Sequence, residues 1–200
     1  PQTTRHRVMG VLTSPESQIV FVDTPGLHKP VTALGERVNS TALESLQDVD
    51  MACLVIDATK PFGSGDQWVA RHMDMSKAIV LLNKIDVVKP QQIIAQLTAA
   101  STLGAAEYFP VSARTGKGIP ELLEFLTERL PEGPQYFPTE TVRDQPEEQW
   151  VAELVREQLL AVTHDELPYS IATRVTEWEW PRIRVEIIVE RDSQKGMVIG

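Results

Sequence analysis

The stretch that decides the fold is Ala78-Ile79-Val80-Leu81-Leu82-Asn83-Lys84-Ile85-Asp86. Its first five residues are apolar and rich in aliphatic side chains, which predicts a strand buried on both faces of a sheet. The polar residues that follow predict a loop at the carboxyl end of that strand. Ligands of parallel α/β sheets bind at the carboxyl strand ends, so this loop is a candidate binding site.

The tetrapeptide Asn83-Lys84-Ile85-Asp86 is typical of loops that read guanine in GTP-binding proteins. The carboxylate of Asp86 can accept hydrogen bonds from the ring N–H and the exocyclic amine of guanine, and adenine offers neither there. Asn83 would join neighbouring loops, and the stem of Lys84 would lie over the base. Surface turns after strands often contain the same residue types, so the tetrapeptide alone leaves an ordinary turn as the alternative.

Two further segments share this arrangement of a strand followed by a loop. Gln18–Val22 predicts a strand, and Asp23-Thr24-Pro25-Gly26 follows it as a DxxG element. Here a carboxylate would hold Mg²⁺ through water, and a glycine would let a backbone N–H approach the terminal phosphate. Phe109-Pro110-Val111 leads into Ser112-Ala113-Arg114, a loop suited to backbone contact with the guanine carbonyl. Three such loops in this order predict a nucleotide site.

The rest of the chain alternates between strand and helix patterns, which predicts a parallel α/β sheet. The expected strands are 7–12, 18–23, 51–57, 77–83 and 108–112, and the first two should form an antiparallel hairpin. The expected helices are 33–47, 66–75, 91–102 and 119–129. Pro90 should precede the third helix and Gly104 should cap it. Residues 130–145 predict a linker, followed by a helix at 147–163, strands at 169–176 and 183–190, and a turn at 178–182.

Composition excludes several classes of protein. The content of 42% hydrophobic and 24% charged residues is typical of a globular protein. The single cysteine, Cys53, excludes an internal disulfide framework and is expected in the core. No apolar run reaches the roughly 18 residues of a membrane-spanning helix. The net charge of −9 argues against a general nucleic-acid-binding surface, and residues 135–200 hold seven Lys/Arg against thirteen Asp/Glu.

At its two ends the chain resembles a known family. Pro1-Gln2-Thr3-Thr4-Arg5-His6 and Asp23–Pro30 are similar to the second and third motifs of the TrmE–Era–EngA group of translation GTPases. The segments Glu166–Ser170 and Glu190–Gly200 are closer to the Era family, which are ribosome-assembly GTPases with a KH domain. The resemblance implies an α/β fold, with a truncated, Ras-like P-loop GTPase domain at 1–131, a linker at 132–146 and a partial α+β KH domain at 147–200.

The resemblance also implies a function. The complete protein would hydrolyse GTP to GDP with Mg²⁺ and bind small-subunit ribosomal RNA during ribosome assembly. It would be a cytoplasmic monomer able to associate peripherally with the inner face of the cell membrane, without a transmembrane segment. Trp178 and Trp180 would be either stacking platforms for bases or packing residues of a hairpin.

Site residues follow from the same resemblance. The switch candidates are Thr3, Thr4, Leu27 and His28. Leu27 stands where Ras-type proteins have a water-orienting glutamine, which implies slow intrinsic hydrolysis, and His28 is either a general base or an exposed switch residue. Mg²⁺ would be held by Thr4 and Asp23, and RNA by Lys195, Gly196 and Gly200. The GTP-binding candidates are Asp23, Thr24, Pro25, Gly26, Leu27, Asn83, Lys84, Ile85, Asp86, Ser112, Ala113 and Arg114.

One motif of the family is missing from these 200 residues. No GxxxxGK[ST] sequence occurs, although this loop supplies the backbone cradle and the lysine for the phosphates. We therefore expect a fragment that binds GTP very weakly or not at all. The resemblance places the absent strand between 18–23 and 51–57, so a gap or abnormal pairing is expected there. The alternatives are another translation GTPase of the same group and a non-hydrolysing RNA- or nucleotide-binding module.

Overall fold

The computed structural model describes residues 8–23, 46, 49–162 and 171–199. Within these ranges, three groups of elements follow one another along the chain. The first is the hairpin β1 (Val8–Thr13) and β2 (Gln18–Asp23). The second comprises β3 (Cys53–Asp57), α1 (Ser64–Ala70), β4 (Ile79–Asn83), α2 (Pro90–Ala100), β5 (Glu107–Pro110) and α3 (Ile119–Thr127). The third comprises α4 (Glu147–Val162), β6 (Ile171–Glu179), β7 (Arg182–Val189) and α5 (Asp192–Ile199).

The central sheet confirms the predicted parallel α/β arrangement. Its strand order is β3-β4-β5, with β4 paired in parallel to both neighbours. Ile79, Val80 and Leu82 of β4 are fully buried, as expected for a strand that is covered on both faces. The polar loop after β4 therefore emerges at the middle of one sheet edge, flanked by the ends of β3 and β5.

Helices cover both faces of this sheet. On one face, Leu54 and Ile56 of β3 and Leu82 of β4 pack with Ala70 of α1 and Ala100 of α2. Ile79, Val111 and Leu122 lie in a second cluster on the opposite face, which Ile19 of β2 joins. The hairpin is thus held against the sheet by side-chain packing.

The element boundaries differ from the sequence prediction where side chains compete with the backbone. The helix expected at 66–75 ends at Ala70. The carboxylate of Asp74 accepts hydrogen bonds from the N–H (3.2 Å) and hydroxyl (2.6 Å) of Ser76, a local turn that replaces further helical bonds. At the third predicted helix, Pro90 is the first helical residue and does not precede the helix, and the α-helix ends at Ala100. A 3₁₀ helix, Ser101–Leu103, follows it, and Gly104 caps that turn in a left-handed conformation with φ of 65°.

In the described part of the chain, the hairpin forms a sheet separate from β3-β4-β5, as expected. β1 and β2 pair antiparallel from Val8 with Asp23 to Thr13 with Gln18, which confirms the predicted hairpin. In the described part of the chain, β2 pairs with no strand except β1, and β3 with none except β4. The expectation that Cys53 lies in the core is wrong: the β3–β4 register places it beside Ile79 on the open edge, where it is exposed.

The segment expected to be a linker is docked along the hairpin. Gly10 forms an antiparallel bridge with Arg143, and the N–H of Val11 donates to the carbonyl of Val142 at 3.0 Å. The side-chain oxygen of Gln18 accepts the N–H groups of residues 136 and 137 at 3.0 and 2.9 Å, while its amide donates to the carbonyl of residue 137 at 2.9 Å. These bonds cover the outer edge of β1.

The last group contains a helix on an antiparallel hairpin. The hydroxyl of Thr173 in β6 donates to the carbonyl of Ala152 in α4 at 2.8 Å, and Ile171 is fully buried. The face predicted for α4 was partly wrong, because Leu154 and Val162 are exposed. Both strands reach into the turn predicted at 178–182, so that only Trp180 and Pro181 remain between them, and β7 ends one residue earlier than predicted, at Val189.

Two further predictions concern the helix at 33–47 and the membrane. The expected helix at 33–47 lies outside the described residues except for position 46. Among the described helices, none has the length and hydropathy needed to cross a membrane.

The open edge of β3 predicts a tendency to aggregate. Val55 is 57% exposed on this edge, where unpaired backbone groups invite pairing with another chain. We expect Val55→Lys to reduce aggregation on warming, measured by light scattering at matched concentration. Val87→Lys is the control, since Val87 is also 57% exposed but lies in a short 3₁₀ helix. Equal protection by both substitutions would contradict a role for the strand edge.

The Gln18 contacts predict that this side chain holds residues 136–144 against β1. We expect Gln18→Ala to speed trypsin cleavage after Arg143, because local opening of the docked segment becomes easier. Cleavage after Arg129, at the end of α3, should keep its wild-type rate. Gln91→Ala, at an exposed position of α2, serves as the matched control. An unchanged rate at Arg143, measured by mass spectrometry, would show that the docking does not depend on Gln18.

Candidate nucleotide site

The candidate site lies where β3, β4 and β5 end. Parallel pairing brings Asp57 of β3 next to Asn83 of β4, and the N–H of Ala58 donates to the carbonyl of Asn83 at 2.9 Å. The N–H of Val111, which follows β5, donates to the carbonyl of Leu82 at 2.8 Å. Three loops therefore meet at one edge of the sheet, as parallel topology requires.

Asn83 joins two of these loops, as the sequence predicted. Its side-chain oxygen accepts the backbone N–H of Lys84 at 2.8 Å and that of Ala113 at 3.0 Å. The first bond accompanies a left-handed conformation at Lys84, with φ of 68°, which is uncommon for a residue with a side chain. The second bond fixes the distance between the loop after β4 and the loop after β5.

Asp86 is oriented from the loop after β5. The hydroxyl of Ser112 donates to the Oδ1 atom of Asp86 at 2.7 Å, and the same hydroxyl oxygen accepts the N–H of Thr115 at 3.1 Å. Ser112 is fully buried, whereas Asp86 is exposed. In the described part of the chain, Oδ2 of Asp86 accepts no hydrogen bond. The carboxylate is thus held on one side and can accept hydrogen bonds from a ligand on the other.

The loop after β5 is shaped by its own backbone. The N–H of Ser112 donates to the carbonyl of Lys117 at 2.8 Å, and the N–H of Gly116 donates to the carbonyl of Ser112 at 2.9 Å. Gly118 has φ of 75°, and a Cβ at this position would collide with the carbonyl oxygen of Pro110. The N–H of Ala113 donates to Asn83. The next N–H of the loop, that of Arg114, has no acceptor among the described residues.

Ile85 contributes to the site through packing. It is buried, and its N–H donates to the carbonyl of Val111 at 3.3 Å. The side chain of Ile85 therefore anchors the short 3₁₀ helix Ile85–Val87 that carries Asp86. This is a supporting role for one of the candidate residues, and it leaves Lys84 and Asp86 at the surface.

Sequence reasoning missed Asp57. Its Oδ2 atom accepts the ammonium of Lys84 at 2.7 Å, and its Oδ1 atom accepts the N–H and the hydroxyl of Thr59 at 2.9 and 2.6 Å. The hydrogen bond from Lys84, followed by that from Thr59, lowers the pKa of Asp57 to about 2. The sequence did contain one indication of this role: Asp57 is an acidic residue at the end of the strand that precedes β4.

Several candidates lie outside the described residues: Thr3, Thr4, Thr24, Pro25, Gly26, Leu27, His28 and Gly200. Asp23 is the last residue of β2 and is exposed. A carboxylate oxygen is a suitable ligand for Mg²⁺, which proteins commonly bind through one or two carboxylates together with substrate phosphates. Within the described ranges, no group of three or more acidic, histidine or cysteine side chains forms a metal cage.

The RNA-binding candidates lie on α5. Lys195 forms an ion pair with Asp192 at 2.7 Å, and the position of Gly196 has open space around it. Most arginines of the preceding hairpin are also paired with acids: Arg174 with Glu186, and Arg184 with Glu177. These pairs explain how an acidic segment can contain several basic residues without presenting a basic patch.

Solved structures of Era are similar to this chain in fold and in sequence. A structure of Era in complex with MgGDPNP and nucleotides 1506–1542 of 16S ribosomal RNA matches with a TM-score of 0.92 and 33% identity, covering 100% of this chain and 71% of that one. A structure of an Era variant from Aquifex aeolicus, bound to GDP and AlF4⁻, matches with a TM-score of 0.90 and 32% identity, with the same coverage.

Two broader matches agree with the nucleotide-binding fold. A family model described as 50S ribosome-binding GTPase matches residues 1–84. The elongation factor SelB from Methanococcus maripaludis, in complex with the GTP analogue GppNHp, matches at 21% identity over 66% of this chain and 30% of its own, with a TM-score of 0.52. At that identity the likeness concerns the fold alone.

The buried hydroxyl of Ser112 predicts a measurable stability effect. Ser112→Ala removes the donor to Asp86 and leaves the N–H of Thr115 without its acceptor. We expect the free energy of unfolding to fall by about 1–2 kcal/mol, measured by urea denaturation. Ser101→Ala is the control, since the Ser101 hydroxyl makes one exposed bond, to the carbonyl of Thr98. Equal, small effects of the two substitutions would contradict the assigned role of Ser112.

Proposed function

This chain belongs to the Era family of GTPases, and we propose that the two loops after β4 and β5 read the guanine base of GTP and GDP. The observation that carries this proposal is the geometry of Asp86. Its carboxylate is fixed on one side by the Ser112 hydroxyl, is exposed to solvent, and has a second oxygen free of hydrogen bonds within the described residues. A guanine base offers two N–H donors in the same plane, which a fixed carboxylate can accept together.

Arg114 and Lys84 complete the proposed recognition of the base. The N–H of Arg114, beside the bond from Ala113 to Asn83, is suited to the guanine carbonyl. The stem of Lys84 would lie against the flat face of the base, since its backbone and its ammonium are both held by neighbouring groups. Adenine would not offer the two N–H donors that guanine presents to the carboxylate of Asp86, and the cost of these lost hydrogen bonds supports discrimination between the two bases.

We also propose the family's roles for the phosphate side of the site. Asp23 would hold Mg²⁺ through water, with Thr4 as a further ligand and Gly26 contacting the terminal phosphate. Bound Mg²⁺ would neutralise charge on the phosphates. Leu27 can neither orient water nor accept a proton, so hydrolysis in the complete protein would be slow and would need help from another group. Thr3 and His28 are the remaining switch candidates, and Thr24 and Pro25 complete the loop.

The third group of elements is proposed as part of a KH-type RNA-binding domain at 147–200, after a linker at 132–146 and a GTPase domain at 1–131. The order α4-β6-β7-α5 supports this assignment, as does the relative that was crystallised with 16S ribosomal RNA. Lys195, Gly196 and Gly200 are the proposed contacts with small-subunit ribosomal RNA. A cytoplasmic location, peripheral association with the membrane and a monomeric state are part of the same proposal.

Guanosine monophosphate is the sharpest probe of the base-reading site. It carries the guanine base but needs little of the phosphate cradle that the missing GxxxxGK[ST] motif would supply. We expect weak binding, in the millimolar range, with clear preference over adenosine monophosphate in ligand-observed NMR titrations. Asp86→Ala should abolish the preference, because Asp86 supplies the paired acceptor.

The control for this experiment is Glu121→Ala, which removes an exposed carboxylate from α3. It should retain the wild-type preference for guanine. If Asp86→Ala still prefers guanosine monophosphate, the base is read elsewhere. If the wild-type chain binds both nucleotides equally or neither of them, the proposed guanine site is wrong.

A further inference from the structure

Asp57 lies beside the proposed site and makes none of the proposed contacts with guanine. It is the last residue of β3 and is paired in register with Asn83 of β4. Both oxygens of its carboxylate are used: one by the ammonium of Lys84, and the other by the N–H and hydroxyl of Thr59. The Thr59 bonds form a local turn that fixes the carboxylate to the backbone of its own loop. A fixed acceptor therefore faces the end of the Lys84 side chain.

Lys84 is consequently held at both ends. Its N–H donates to the side chain of Asn83 and its φ of 68° sets the direction in which the side chain leaves the backbone. Its ammonium lies 2.7 Å from Asp57. A free lysine loses side-chain conformational entropy when it becomes ordered. A lysine that is already ordered pays less of that cost when a ligand binds along its stem.

We propose that Asp57 is a positioning residue for base recognition, which holds the Lys84 stem in the conformation that packs against guanine. This inference rests on the proposed function. Asp57 makes no contact with the base itself; it acts through Lys84.

A purely structural role for the pair is the competing explanation. The Lys84 and Asp57 side chains are 55% and 28% exposed. Ion pairs with this exposure contribute little to stability, since solvent screens them and ordering the side chains has a cost. The pair is therefore not expected to be needed for folding, and its effect should appear in ligand binding instead.

The charge state of Asp57 is suited to this role. With a pKa lowered to about 2 by the hydrogen bonds from Lys84 and Thr59, the carboxylate is ionised at neutral pH. The depressed pKa means that the pair stabilises the folded chain fully above the ordinary aspartate pKa. That contribution is lost only as the pH falls from about 4 through 2.

The test compares guanosine monophosphate binding by wild type and by Asp57→Asn. Asparagine keeps the shape and can still accept the Thr59 bonds, but it removes the charge that attracts Lys84. We expect the dissociation constant to rise about threefold, because binding must then supply part of the entropic cost of ordering Lys84. The midpoint of urea unfolding should fall only slightly, because solvent screens this partly exposed pair. Asp74→Asn is the matched control: it makes the same substitution in an exposed Asp–Lys pair, with Lys77, that precedes the amino end of β4, and it should bind like wild type.

A second variant shows whether Asp57 acts through the lysine. Lys84→Met keeps an apolar stem without the ammonium, and in this background Asp57→Asn should have no further effect on binding. If Asp57→Asn binds like wild type, or weakens binding equally with and without the ammonium at position 84, the inference is overturned while guanine reading stands. If the wild-type chain does not bind guanosine monophosphate, the proposed function fails and the inference falls with it.

Discussion

The rest of the site depends on the two hydrogen bonds that the side-chain oxygen of Asn83 accepts. By accepting N–H groups from Lys84 and from Ala113, it joins the loop after β4 to the loop after β5. Each loop then supplies what the other needs: Ser112 orients Asp86, and the 3₁₀ helix carrying Asp86 is anchored through Ile85 to the carbonyl of Val111. Together with these two bonds, the Asn83 bonds fix the distance between Asp86 and the backbone of Arg114.

The frame beneath the loops is asymmetric. β4 is bonded on both sides and covered on both faces, so the loop that follows it is rigidly placed. Among the described residues, β3 is hydrogen-bonded along one edge only, to β4. Cys53 and Val55 of this strand are exposed. The hairpin β1–β2 is attached through the packing of Ile19 and is bordered on its outer side by residues 136–144. The guanine side of the site is therefore built on the best-supported strand of the molecule.

The parts of the fold that follow from periodicity could be predicted from the sequence. The apolar run before Asn83 identified β4, and Pro90 marked the start of a helix, whereas Gly104 caps the 3₁₀ turn that follows that helix. Contacts that depend on three-dimensional pairing could not be predicted. The bond between Gln18 and residues 136–137 joins positions far apart in sequence, and Asp57 finds Lys84 only because β3 and β4 are neighbours. The exposure of Cys53 likewise depends on which strand lies beside it, which an apolar run does not reveal.

The central claim is that guanine binds in the loops after β4 and β5. It is tested most directly by mapping backbone amide shifts in the isotope-labelled chain as guanosine monophosphate is added. The account predicts changes concentrated at Lys84, Ala113 and Arg114, with the hairpin β6–β7 unaffected. Changes confined to β6–β7 or α5, with the three loop amides unmoved, would contradict it.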